Sequence, residues 1–245
     1  MQANTKQSTT DRAGATPAPR ARAAALRLAV LASGRGSNLQ ALMDARELGR
    51  LPVEFVLVAG DKAEAQALRR AEAAGIPTLA LDPRGYPHRA GFDRDLFGHI
   101  GAHAPDLIVL AGYMRVIDAA ALGAWNGRII NIHPSLLPRY RGLHTHRRAL
   151  AAGDSRHGSS LHYVTAELDG GPLIGQAEIA IHAGDTPTTL AERLLPYEHR
   201  LLVAGVGLIA SGRLSLGDAG VCLDGQVLQE PLRLVGDQLQ VAAAA

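Results

Sequence analysis

The sequence predicts an α/β fold: a doubly wound, mostly parallel sheet with mixed or antiparallel strands in the C-terminal half. Three observations carry that expectation. Short apolar runs alternate with helix-length stretches through the first half of the chain. Apolar residues make up 47% and aromatics only 4%, so the core is built from Leu, Val, Ile and Ala, which suits strands covered on both faces. Beyond His157 the alternation gives way to two strand-like runs around a Gly-Pro turn.

In chain order, "LRLAVLA" (26–32) reads as a buried strand. "SGRGSN" turns it into the helical spacing of "LQALMDARELG". "VEFVLVA" (53–59) is a second strand, and a helix over 62–74 closes at Gly75, a residue suited to the left-handed C-cap. A third strand over 76–81, a helix over about 87–103 and a fourth strand at "DLIVLA" (106–111) follow. A short helix leads to a fifth strand at 128–132. "SSLHYVTAELDGGPLIGQAEIAIHAGD" supplies two strands, and 188–210 is a long helix with Pro196 as a bending point. Strand-like pieces, "LSLGD", "VCLDG" and "VLQEPLRLV", complete the chain. No repeat or linker divides it, so residues 26–245 are expected to form one domain behind a disordered tail, 1–25.

Bulk properties exclude several classes. Over 245 residues the net charge is +2, without the concentrated basic excess of a nucleic-acid binder. Cys222 is the single cysteine, so neither an internal disulfide framework nor a four-cysteine zinc site can form. No apolar run reaches 18 residues, so no membrane span is expected. The polar, Ala/Pro-rich, basic leader lacks the apolar centre of a secretory signal, and a cytoplasmic protein is expected. An organelle address is the alternative for that leader.

Chemistry concentrates in "RIINIHPSLLPRYRGLHTHRRAL" (128–150). Asn131 and His133 alternate with Ile132, so on a strand they share one face, at the carboxyl end where open sheets bind ligands. A histidine satisfied within the core is the plain alternative. His133, His144, His146, His157 and His162 are enough for a metal site in number, but no H-E-x-x-H spacing is present. Ser135 lies near His133 without the G-x-S-x-G elbow of a hydrolase. Gly36, Ser37 and Asn38 open a helix after the first strand, where free N–H groups attract phosphate. The spacing matches neither the dinucleotide fingerprint nor a Walker loop, and an ordinary capped turn stays open. Asp169, before two glycines and a proline, is either a turn cap or a carboxylate that folds back onto His133 to stabilise and orient its charged form. "LAGYMRVI" (110–117) either lines a pocket for a flat ring or is core.

Together "LASGRGSNLQAL", "LAGYMRVI", "NIHPSLLPRYRGLHTHRRAL" and "HGSSLHYVTAELDGGPLIGQ" resemble the phosphoribosylglycinamide formyltransferases, within the 10-formyltetrahydrofolate-dependent formyltransferase family. The resemblance runs from about Leu28 to about Arg213. It implies transfer of a formyl group from 10-formyltetrahydrofolate, as co-substrate, to the amino group of glycinamide ribonucleotide. It also implies small-molecule partners, no metal, and a monomer or homodimer. Carried over residue by residue, Asn131, His133 and Asp169 match the catalytic trio. Gly36, Ser37 and Asn38 match the phosphate-binding element, and Glu198 matches a glutamate on the nucleotide. Arg89, Met114, Arg115, Val116, Ile117, Asn131, Thr165, Ala166, Glu167, Leu168 and Asp169 match folate-binding positions. "LLPYEH" departs from the pattern, because Pro196 and Tyr197 stand where polar helix formers are expected.

The mechanism expected is attack through a tetrahedral intermediate, with Asn131 and charged His133 as donors to its oxygen and Asp169 orienting His133. A formyltetrahydrofolate hydrolase and a non-catalytic folate- or nucleotide-binding protein are the rival readings. A methionyl-tRNA formyltransferase would need a further C-terminal domain and a basic surface.

Overall fold

The computed structural model describes residues 24–242. The tail expected over 1–25 lies outside that range apart from its last two residues. The strands are β1 Leu26–Leu31, β2 Val53–Gly60, β3 Thr78–Ala80, β4 Leu107–Leu110, β5 Ile129–His133, β6 Arg156–Tyr163, β7 Leu173–Ala180, β8 Leu214–Gly217, β9 Gly220–Leu223, β10 Gln226–Val227, β11 Leu232–Val235 and β12 Gln238–Gln240. The helices are α1 Ser37–Glu47, α2 Gln66–Ala73, α3 Arg89–Ala102, α4 Ala119–Gly123, α5 Thr145–Ala151 and α6 Pro187–Ala210.

A nine-stranded sheet runs in the order β12-β11-β7-β6-β5-β4-β1-β2-β3. Its first-half strands pair in parallel, β3 on β2 on β1 on β4 on β5, and chain order reverses between β1 and β4. A reversal of this kind opens a crevice at the strand carboxyl ends. The second half brings the antiparallel pairs β5–β6, β6–β7 and β11–β12. Alternation along β1 shows why both faces are covered. Leu28 and Val30 join the cluster beneath α1, α2 and α6, while Ala29 and Leu31 join the one beneath α3 and α4.

Several boundaries differ from the sequence expectation. α2 starts at Gln66 rather than 62, because residues 62–65 close a turn in which Ala65 N–H donates to the Lys62 carbonyl. β5 extends one residue further, so His133 is still strand. The sequence reading assigns no element between the fifth strand and "SSLHYV", yet 145–151 is the helix α5, entered through His144 in the left-handed region at φ 60. α6 continues through Pro196, which removes the N–H that would otherwise reach the Glu192 carbonyl. A box between Thr186 and Thr189, with Pro187 at the first helical position, starts that helix firmly. The C-terminal pieces divide: β8–β10 form a separate three-stranded sheet, whereas β11 joins the main sheet parallel to β7.

Candidate active site

β5 delivers two polar side chains to one face. Ile130 and Ile132 sink into the core below, so Asn131 and His133 face the other way. β6 runs antiparallel alongside and sets His162 directly opposite Asn131, with Ser160 opposite His133. Asn131 Nδ2 lies 3.1 Å from His162 Nε2. His162 Nδ1 lies 2.9 Å from the Tyr163 carbonyl, which can only accept. The proton is therefore on Nδ1, Nε2 is the acceptor, and Asn131 must present its NH2 group there. Burial lowers the pKa of His162, against the raising influence of the adjacent Tyr163 carbonyl and Asp169, so the ring is held neutral.

Asp169 completes the cluster. Its Oδ2 stands 3.5 Å from His133 Nδ1 and accepts from the Gly142 N–H at 2.8 Å, while Oδ1 stands 3.7 Å from His162 Nε2. The His133 and Asp169 side chains are only 8% and 9% exposed, so little solvent screens them. The chain reaches this position by a tight reversal. Asp169 takes the left-handed conformation (φ 48), which a short polar side chain tolerates. At Gly171 a Cβ would stand 1.9 Å from the Tyr163 carbonyl oxygen, so no other residue lets the loop fold back there.

The loop after β5 uses its polar groups on itself. His133 Nε2 lies 3.0 Å from the Tyr140 carbonyl, hence donates to it. Ser135 is fully buried and its Oγ donates to the Arg139 carbonyl at 2.6 Å, so it is spent as a structural hydroxyl and not aligned as a nucleophile. His146 and His157 pair with each other, Nδ1 to Nε2 at 3.0 Å. Desolvation lowers both, His157 to about 4, and keeps them neutral. His144 is exposed at the start of α5. Among the described residues no group of three or more His, Cys, Asp or Glu converges as a metal site.

The turn before α1 is of the opposite character. Gly36 sits at φ 72, and a Cβ on it would stand 2.7 Å from Ala67 Cα. α1 has no side-chain cap, so its first N–H groups are open to an incoming anion. Asn38 is 9% exposed and its Oδ1 has no partner among the described residues. Glu198 on α6 reaches this end of α1. Desolvation pushes its carboxyl up to about 7, while a hydrogen bond with Asn38 pulls it down. Pro196 therefore does not remove Glu198 from the turn.

The loops that follow β4, β5 and β6 carry exposed apolar side chains. Met114 (64%), Val116 (48%), Leu143 (60%) and Leu168 (52%) are large hydrophobics left exposed. Leu168 packs near Gly142, so the 165–169 loop borders the loop after β5. Arg89 lies 3.9 Å from Asp118, just past the 114–117 stretch. Not every expected folate position offers its side chain. Ile117 is core, and Arg115 lies over the Phe92 ring. Glu167 pairs with Arg141, and Thr165 Oγ1 is 3.5 Å from the Glu167 carbonyl, while Ala166 is exposed. The residue that sequence reasoning misses is His162. It was weighed only as a metal ligand, and its register opposite Asn131 has no signature within either strand.

Comparison with known proteins follows the same lines. The formyl transferase family profile matches residues 26–206. The phosphoribosylglycinamide formyltransferase of Escherichia coli (strain K12) is 44% identical over 203 residues, 83% of this chain and 96% of that protein. A solved phosphoribosylglycinamide formyltransferase from Coxiella burnetii superposes with a TM-score of 0.80 at 46% identity, over 83% of this chain and 96% of the other. At greater distance, a formyltetrahydrofolate deformylase from Pseudomonas syringae pv. tomato str. DC3000 gives 0.74 at 25% identity, over 82% of this chain and 66% of the other. The chain belongs to the formyl transferase family, with the phosphoribosylglycinamide formyltransferases as its near relatives.

Proposed function

We propose that the protein transfers the formyl group of 10-formyltetrahydrofolate to the amino group of 5-phosphoribosylglycinamide, a step of purine biosynthesis. The observation that carries this reading is the convergence of Asn131, His133 and Asp169 at the carboxyl end of β5, on the same sheet edge as the uncapped helix start that follows β1, with β4 between the two strands. The open N–H groups of Ser37 and Asn38, with Gly36, receive the phosphate, and Glu198 faces the sugar. The apolar rim of Met114, Val116 and Leu168, with backbone groups of 114–117 and 165–169 and with Arg89 at its edge, receives the folate. No metal has a role in the scheme.

The amine attacks the formyl carbon, a C–N bond forms, and the carbonyl electron pair moves onto oxygen. Asn131 has one N–H committed to His162 and a second N–H available for that oxygen. Charged His133 is the other donor. In the free protein its Nε2–H is spent on the Tyr140 carbonyl, so that bond must be shared or broken as the oxyanion develops. Collapse breaks the bond to the folate nitrogen, which takes a proton delivered from His133. The proton released by the amine passes to Asp169 or to water beside it. Asp169 faces Nδ1 and holds the ring oriented.

A single assay tests the reading: release of formyl from a 10-formyl folate with and without glycinamide ribonucleotide. Acceptor-dependent release is the expected result. Acceptor-independent release would make the protein a hydrolase, and folate binding without release a non-catalytic module. The proposal extends to one domain over 26–245 acting as a monomer or homodimer in the cytoplasm, which sedimentation and cell fractionation check. No helix among the described residues is long and apolar enough to cross a membrane.

A further inference from the structure

α2 holds the turn before α1 at three consecutive residues. The Ala67 N–H donates to the Gly34 carbonyl at 3.0 Å. Arg70 Nε donates to the Arg35 carbonyl, also at 3.0 Å. Gly36 then approaches Ala67 too closely for any side chain. Arg70 also spans to α1, where Nη1 donates to Gln40 Oε1 at 2.9 Å. Its fork thus grips the turn and the first turn of the helix together.

Peptide planarity converts these grips into orientation. In a trans peptide the C=O and the following N–H point in opposite directions. Holding the Gly34 carbonyl toward α2 turns the Arg35 N–H away from α2, and holding the Arg35 carbonyl does the same for the Gly36 N–H. Successive N–H groups turned to one side form an anion-binding concavity, continued here by the open first N–H groups of α1. An unheld Arg35 peptide could instead rotate its carbonyl toward a bound anion. Among the described residues Arg70 makes no ion pair with a carboxylate, so its charge adds to the positive field of the turn instead of being cancelled.

We propose that Arg70 is a positioning residue for nucleotide binding: its forked grip on the Arg35 carbonyl and Gln40 aims the Gly36 amide at the phosphate. The inference rests on the reading of this turn as the phosphate seat. Arg70→Ala is expected to raise the KM for glycinamide ribonucleotide about tenfold, as for loss of one charge-assisted hydrogen bond. kcat should change by less than about twofold and the KM for the folate should not move. Arg70→Lys keeps the charge but cannot fork, and should stay close to the alanine variant. Arg70→Gln carries the same expectation should the alanine variant fail to fold. An unchanged nucleotide KM would overturn the proposal, as would full recovery by lysine or an equal effect on kcat. Binding of ribose 5-phosphate, measured by calorimetry on wild type and variants, separates this from the proposed activity. If the wild type shows no acceptor-dependent transfer yet binds ribose 5-phosphate more tightly than Arg70→Ala, the activity falls and the positioning role stands. Equal binding overturns the role.

Discussion

The two ends of the site treat their polar groups in opposite ways. At the β5–β6 end donors find acceptors inside the protein: Asn131 on His162, His162 on the Tyr163 carbonyl, His133 on the Tyr140 carbonyl, Gly142 on Asp169. At the α1 end the helix starts without a side-chain cap and Asn38 Oδ1 is buried without a partner among the described residues. The first end is organised before substrate arrives, as charge stabilisation in a transition state requires. The second is completed only by what binds it. Substitutions at the first should therefore appear in kcat, and at the second in KM.

The sharpest way to break this contrast is at the oxyanion donors. Asn131→Ala and His133→Ala should each lower kcat by ~100- to 1,000-fold with small changes in either KM, read by steady-state kinetics. Near-normal turnover in His133→Ala would end the assignment. Ser37→Asp sets a carboxylate where a phosphate is expected, and should raise the KM for the nucleotide by at least about tenfold while sparing kcat. A nucleotide KM like that of wild type would leave the α1 end without a role. His162→Ala removes the acceptor that orients Asn131 and leaves both oxyanion donors in place, so about a tenfold loss in kcat is expected, the size of one neutral hydrogen bond. A shift confined to KM would show that the first end is less preorganised than its bonds suggest.

The last effect is read in stability and not in kinetics. The Glu198 carboxyl, at about 7 in the folded chain, lies above the ordinary 4.5. Between those values the folded state holds a proton that the unfolded state has lost. Stability should therefore fall as pH rises through that window, by on the order of 3 kcal/mol in all. Glu198→Gln should flatten this part of the melting-temperature curve between about pH 4.5 and 7. An identical slope in the two proteins would mean that Glu198 is not desolvated by the α1–α6 contact.

Local pattern made much of this legible. The parallel strands β1 to β5 and the shared face of Asn131 and His133 follow from periodicity alone, because side-chain direction on a strand is set by its neighbours. What depends on distant pairing was not. His162 meets Asn131 through antiparallel register, and β11 meets β7 across the whole of α6 and the small sheet. α5 escaped notice because His144 gives no capping oxygen. The available signal was Gly153, in the left-handed conformation just past the R-R-A-L-A-A run. Asp169 was suspected of folding back, but only the clearance at Gly171 shows how tightly the return is made.

The carbonyls of Tyr140 and Tyr163 have a consequence for proton traffic. Each closes off one nitrogen of a histidine, His133 Nε2 in one case and His162 Nδ1 in the other. A main-chain oxygen accepts a hydrogen bond but passes no proton onward, so the His162 branch ends blind, and the His133 branch stays closed until its Nε2–H leaves the Tyr140 carbonyl for the substrates. Asp169, 3.5 Å and 3.7 Å from the remaining nitrogen of each ring, is the junction the two branches share among the described residues. The cluster is thus wired as a hub with one dead end and one gated exit, the His133 Nε2–H, which opens toward the reacting substrates.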